Sequence, residues 1–393
     1  MTLRRKLAIV ALLYTIEGFP AGIYADLWPV YFRRQGIGLE QIGLLQALSW
    51  AWTLKVLWSP LVDRYGERRR WIQCCLLVVA AGLLAVAGSD TTALGPGLWL
   101  ALAACCLASA TQDVAIDAYT IGLVDRGDEG PANSVRSAAY RVGAIAAGGG
   151  LLLLPAAIGW PATFVSAALA CVALAAALRL CPALPVPGSA RGDLRGALSR
   201  WRDRSGVAGA ALFVLFYRLG DRAMGPMVKP FWVDRGFSDA EIASVSTTLG
   251  SLATIAGAVA GGVVVARVGI PRALLLLGIP ALASNLAYAL AAALPEAGRP
   301  GVYGASLIES FCSGLATAAF LSYLMRVCEK EHAAVQYALL YAVASFAGTL
   351  AAIPSGWLAQ RLGYAGYFAL TALYSLPAFA FLPAARRWLS AEG

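Results

Sequence analysis

Ser109-Ala-Thr-Gln-Asp-Val-Ala-Ile-Asp-Ala-Tyr119 decides how this chain is read, because it sets Gln112, Asp113 and Asp117 inside an otherwise apolar run from about Gly97 to Val124. A run of that length spans a bilayer, and helical residues four apart share a face, so the two carboxylates point the same way. A charged side chain at mid-membrane costs about 2.5–3.5 kcal/mol on insertion scales. Two on one face must line a wet cavity or meet partners. The face therefore reads as the working surface of a transporter.

Composition agrees: 59% of the residues are hydrophobic and only 13% are charged, where soluble chains carry about 25% charged residues. Mean hydropathy is +0.68. Apolar segments lie near 7–32, 41–62, 71–89, 97–124, 133–154 and 160–181, and again near 206–233, 241–265, 272–294, 300–327, 334–359 and 363–383. A stretch rich in Pro, Gly and Arg separates the two sets. The expected organisation is an N-terminal six-helix bundle over 1–181, a cytoplasmic linker over 182–205 and a C-terminal six-helix bundle over 206–393. The fold class is an all-α polytopic membrane protein with twelve transmembrane helices in two six-helix repeats.

The basic residues give the orientation. With a cytoplasmic N-terminus, 21 Arg and Lys fall on the cytoplasmic side, among them Arg4, Arg5, Lys6, Arg64, Arg68, Arg136 and the arginines of the linker. Arg33, Arg34, Arg235, Arg299 and Arg361 fall on the other side. Cytoplasmic loops carry such an excess, so both termini are expected in the cytoplasm and the net charge of +9 is topogenic rather than a sign of a nucleic-acid partner. Met1 to Lys6 leads into an apolar stretch without a small-residue cleavage site, which reads as a retained first span. The eight cysteines form no Cys-x-x-Cys, and His332 is the only histidine, so no metal site or disulfide framework is expected.

The halves are related to one another. Phe32-Arg-Arg-Gln-Gly36 with Glu40-Gln-Ile42 recurs as Trp232-Val-Asp-Arg-Gly236 with Ala240-Glu-Ile242, and Asp63-Arg-Tyr-Gly66 corresponds to Ala266-Arg-Val-Gly269. The stretch Ser59-Pro-Leu-Val-Asp-Arg-Tyr-Gly-Glu-Arg-Arg-Arg70 resembles the Gly-x-x-x-Asp-Arg-x-Gly-Arg-Arg signature of the major facilitator superfamily, departing from it at Ser59 and Glu67. That resemblance implies a gating role for Asp63, Arg64 and Arg68. Fixing topology accounts for the arginines at least in part. Asp63 is the informative member, since orientation needs no acid.

Longer strings narrow the resemblance. Lys55-Val-Leu-Trp-Ser-Pro-Leu-Val-Asp-Arg-Tyr65, the Ser109–Tyr119 stretch, Tyr140-Arg-Val-Gly143, Tyr217-Arg-Leu-Gly-Asp221, Gly314-Leu-Ala-Thr-Ala-Ala-Phe320 and Gln336-Tyr-Ala-Leu-Leu340 together resemble the AmpG family of muropeptide permeases. That family shares a branch with acetyl-CoA carriers and some siderophore uptake permeases. Its motif residues carry over at Gln112, Asp113, Asp117, Arg141, Asp221 and Glu309, with Arg218 where a lysine is usual. Tyr119 and Glu17 join them as candidate substrate contacts.

Charges inside spans also have plain explanations. Asp26, Arg222 and Lys229 lie near span ends, where long side chains snorkel to the interface. Arg218 and Asp221, three apart, can neutralise each other, whereas Arg141 has no acid three or four residues away and its planar fork suits a carboxylate. Lys55 is a further buried base, and Trp50, Trp52 and Trp58 read as packing between helices.

The function these features imply is proton symport of a small anionic solute across the bacterial inner membrane. Asp113 and Asp117 would be the proton-coupling pair, and Gln112, Tyr119, Arg141, Arg218, Asp221, Glu309 and Glu17 the solute contacts. An anhydro-muropeptide is the first candidate solute, followed by a siderophore and then a CoA-type anion. An intramembrane aspartyl protease also needs two membrane aspartates, but its acids face each other from different helices, whereas Asp113 and Asp117 share one. No enzyme activity, cofactor, metal or nucleic-acid partner is expected, and the protein is expected to act as a monomer in the lipid bilayer.

Overall fold

In hydrocarbon every backbone N–H and C=O must be bonded within its own segment, so apolar runs of this length fold as helices. The computed structural model describes residues 1–65, 67–89, 94–125, 128–183, 207–328 and 333–390. Their helical spans are α1 (Leu3–Arg34), α2 (39–64), α3 (Arg68–Gly88), α4 (Pro96–Leu123), α5 (129–158) and α6 (160–180). After the linker come α7 (207–234), α8 (Asp239–Val268), α9 (Ile270–Ala293), α10 (Gly298–Arg326), α11 (333–362) and α12 (364–390). The helix assigned over Pro155–Ala177 is broken at Gly159 (φ 77) and the one over Ser355–Ser390 at Gly363 (φ 68), which separates α5 from α6 and α11 from α12. Beyond Pro182 and Ala183 the expected linker lies outside the described residues.

Length and composition alone mark eight of the described helices as able to cross a membrane. The spans that escape that measure are interrupted or carry charge. In α2, 3₁₀ turns at Leu45–Ser49 and Lys55–Leu57 break the helix. Helix α5 loosens into a π-helical turn at Ala146–Gly150, and α7 holds Pro226 and Pro230. Helix α11 turns at 353–354.

The chain packs as two compact units. The first comprises Met1–Gln41, Leu48–Ala190 and Trp232–Thr247, and the second Ile42–Ala47, Arg191–Phe231 and Thr248–Gly393. Trp232–Thr247 therefore packs with the first unit, where a division at 206 would place it in the second. Charge pairing explains that placement. Arg33 holds both carboxylate oxygens of Asp234 at 2.5 and 2.7 Å, and Arg34 reaches Asp239 at 2.9 Å. These arginines, exceptions to the positive-inside pattern, thus have acids of their own.

The internal repeat is visible in the backbone. Gly36 and Gly236 both take positive φ, at 82° and 74°, and both end a span. Ile37 donates its N–H to the Phe32 carbonyl at 3.0 Å and Phe237 donates to that of Trp232 at 3.2 Å, the same 6→1 closure at equivalent places.

Helices α1 and α5 approach backbone to backbone. A Cβ on Gly18 would sit 2.0 Å from the Tyr140 carbonyl oxygen, and one on Gly143 would sit 2.2 Å from that of Thr15. This close approach lets α5 reach across to the polar face of α1. At Gly262, by contrast, an added Cβ meets nothing within 4 Å. Gly143→Val is expected to force the two helices apart and cost about 1–3 kcal/mol, as overpacking does, whereas Gly262→Ala leaves the melting temperature unchanged or raised. Thermal unfolding of the two purified variants in detergent checks the contrast.

Candidate transport site

Four helices of the first unit bring charged side chains together. From α4 come Asp113 and Asp117, one turn apart; α1 supplies Tyr14 and Glu17, also nearly a turn apart; α2 supplies Lys55 and α5 supplies Arg136. Asp117 is held twice. The Tyr14 hydroxyl donates to its Oδ1 at 2.7 Å and Arg136 Nη2 approaches the same oxygen at 3.1 Å. The Arg136 guanidinium also lies 4.6 Å from the centre of the Tyr14 ring, so the three groups lock as one.

Asp113 is held more loosely. Its Oδ2 meets Lys55 Nζ at 3.4 Å, and its Oδ1 is buried without a hydrogen-bond partner among the described residues. An ammonium–carboxylate bond ordinarily closes to about 2.7–2.9 Å. The Asp113 side chain is 10% exposed and that of Lys55 30%, so the acid is the deeper of the two. Glu17 is within electrostatic reach of Asp113, Asp117, Arg136 and Lys55. Glu17 Oε2, Ser109 Oγ and Gln112 Oε1 are further buried oxygens without a partner among the described residues. A cluster of unbonded acceptors around a loosely paired carboxylate is chemistry suited to taking up a proton.

The break in α2 delivers Lys55. The helix leaves its α path at Lys55, whose carbonyl accepts from Trp58 N–H at 3.3 Å, and Pro60 restarts the helix without an N–H to offer. Trp52, on the same helix, stands beside Asp113 and lines a small, mostly apolar recess with Tyr24, Trp28 and Ser109.

The second unit carries its own charged group. Arg218 donates from Nη1 to the Ser313 carbonyl at 2.5 Å and from Nη2 to Ser313 Oγ at 2.9 Å, and Nη2 also meets Asp221 at 3.2 Å. Glu309, one turn before Ser313 on α10, lies within electrostatic reach of Asp221, Arg218 and Lys229, and Ser310 Oγ is 3.5 Å from its Oε2.

The structure thus brings Glu17, Asp113 and Asp117 together in one unit and Arg218, Asp221 and Glu309 in the other. Gln112 is fully buried and donates to the Ile16 carbonyl at 3.0 Å, bracing α4 against α1 next to Glu17. Tyr119 is 1% exposed and donates to the Pro182 carbonyl at 2.6 Å, apart from the carboxylates. Arg141 is half-buried on α5 and makes no ion pair or hydrogen bond with the described residues. Of the signature residues, Arg64 is exposed over the Tyr65 ring, Arg68 is buried, and the Asp63 side chain lies outside the described residues. Sequence reasoning missed Tyr14 altogether and counted Arg136 as topogenic, whereas it pairs with Asp117. Arg136 stands among small residues and Ser134 at the polar start of α5, and that polarity inside a span was the available signal.

Twelve helical spans in two repeats, with clustered charges inside spans, define a membrane transporter and not an enzyme. The Major Facilitator Superfamily profile matches residues 10–218 and 210–392, and the chain belongs to that superfamily. It is related to the anhydromuropeptide permease of Escherichia coli K12, with 29% identity across 97% of this chain and 80% of that protein. The putative transporter AmpG 4 of Rickettsia felis is 27% identical over 96% of this chain and 95% of its own length. Among solved structures, a bacterial homolog of the human lysosomal transporter Spinster, inward-facing and unoccupied, superposes with a TM-score of 0.78 at 16% identity, covering 99% of this chain and 98% of that one. The nucleoside transporter NupG gives 0.74 at 17% identity, over 98% and 99% of the two chains. The protein is a multi-pass membrane transporter of this superfamily.

The two interior arginines differ in what removing them costs. Arg218→Gln strips a largely buried acid of its cation and is expected to destabilise the protein by on the order of 3 kcal/mol, with part of the loss recovered in Arg218→Gln/Asp221→Asn. Arg141→Gln leaves no acid behind and should melt like the parent. Thermal unfolding of the three variants measures the difference.

Proposed function

We propose that this protein is a proton-coupled importer of a small anionic solute, with an anhydromuropeptide as the solute, working in a bacterial inner membrane with both termini in the cytoplasm. The observation that carries the proton reading is Asp113, a carboxylate deep in a membrane helix with one weakly paired oxygen and one unbonded. Similarity to the anhydromuropeptide permease along nearly the whole chain supports the choice of solute. Arg141 supplies a guanidinium with no acid of its own, suited to a solute carboxylate.

In this reading Asp113 takes a proton from the outer side while solute binds, and returns it on the cytoplasmic side when solute leaves. Asp117, fixed by Tyr14 and Arg136, holds α1, α4 and α5 in register. Arg218, Asp221 and Glu309 contribute polar contacts from the second unit, and Asp63, Arg64 and Arg68 serve the cytoplasmic gate.

Uptake of radiolabelled anhydromuropeptide into energised right-side-out vesicles tests the proposal. The parent protein is expected to concentrate it in a manner abolished by an uncoupler. Asp113→Asn and Asp117→Asn should both lose uphill uptake, while at least one still exchanges solute down its gradient. Accumulation of a ferric siderophore or a CoA thioester in place of the muropeptide would reassign the solute. Uphill, uncoupler-sensitive uptake by both variants would move the proton site elsewhere.

A further inference from the structure

Lys55 is the unexplained member of the first unit's cluster. Its ammonium sits in a broken stretch of α2, is more exposed than the acid it faces, and meets that acid at 3.4 Å. Irregular backbone at membrane depth is tolerated where it is packed in protein or lines a water-filled cavity. The two carboxylates also contrast in how they are held. Asp117 is secured by Tyr14 and Arg136 at 2.7 and 3.1 Å, so proton uptake there would dismantle a well-made triad. Proton uptake at Asp113 breaks the long contact to Lys55, its one ion pair among the described residues, and Trp52 stands against the same carboxylate. The groups facing this pair are Glu17 from α1, Trp52 from α2, Cys75 from α3 and Asp117 from α4, with Arg136 of α5 beyond them.

We propose that Lys55 is the solute's anion receptor, masked by Asp113 when that carboxylate is charged and released when it takes a proton. The step forms an O–H bond on Asp113 with a proton from the outer solution and breaks the ionic contact to Lys55 Nζ. The freed ammonium then donates to a carboxylate of the solute. On the cytoplasmic side the sequence reverses: Asp113 loses its proton, reclaims Lys55 and displaces the solute carboxylate. Proton and anion bind together because each removes the obstacle to the other. This rests on the solute assignment above and adds the residue that links the two ligands.

The test is a double-mutant cycle read as binding of anhydromuropeptide to the purified full-length protein across acid to alkaline pH. The parent should bind more tightly as pH falls. Asp113→Asn, a neutral stand-in for the protonated acid, should bind tightly at every pH. Lys55→Gln should lower affinity about tenfold or more in either background, the scale of one charge-assisted hydrogen bond, and flatten the pH profile of the parent. Lys55→Arg should restore much of the affinity, which a merely structural role would not require. Should Lys55→Gln fold poorly alone, Asp113→Asn/Lys55→Gln removes both charges of the pair and carries the comparison. If the parent binds the muropeptide but Lys55→Gln keeps its affinity and pH profile, the role of Lys55 is overturned and the solute assignment stands. If the parent binds no muropeptide at any pH, the solute assignment falls and this inference with it.

Discussion

A carboxylate inside a bilayer has to be answered, by a cation, by a hydrogen bond or by a proton, and the first unit answers its acids in different ways. Asp117 receives a tyrosine hydroxyl and a guanidinium at ordinary hydrogen-bond distances. Asp113 receives a distant ammonium on one oxygen, with the Trp52 indole beside it. The surrounding architecture follows from these demands. The glycine contacts between α1 and α5 let Arg136 and Tyr14 meet over Asp117, the break in α2 brings Lys55 to Asp113, and Gln112 braces α4 against α1 beneath them.

The same accounting runs differently in the second unit. There Arg218 is held by Ser313 and Asp221, while Glu309 stands one turn along α10 with a serine hydroxyl 3.5 Å away. Two repeats descended from one plan have thus kept their backbone closures, at Gly36 and Gly236, while their interior charges diverged. Backbone geometry at a span end is fixed by sterics and hydrogen bonding common to both halves. Interior charges answer to whatever each half must bind.

Much of the fold was legible because hydropathy in a membrane chain is a nearly direct record of helix positions. The expected segments fall on the observed spans within a few residues, and the pair Asp113 and Asp117 was visible from spacing alone. The partners were not, since a charge's partner depends on which helices meet. Arg136 lies in a stretch whose arginines also set topology, and one sequence cannot separate the two uses. Tyr14 is an ordinary apolar-span tyrosine until α1 is packed on α4. The break in α2 left little trace either, because Leu39 to Arg64 reads as a continuous span whose helix breakers, Gly43 and Pro60, lie near its ends.

Counting the first unit's cluster as charged, three acids against two bases leave a single negative charge on Glu17, Asp113, Asp117, Lys55 and Arg136. In the proposed cycle one proton on Asp113 would bring it to neutrality, and one solute carboxylate on Lys55 would return it to where it began. A proton carried together with one carboxylate is electrically silent, so membrane voltage does no work on that cargo. The pH difference alone would then drive it, and voltage would enter only through whatever further charge the solute brings.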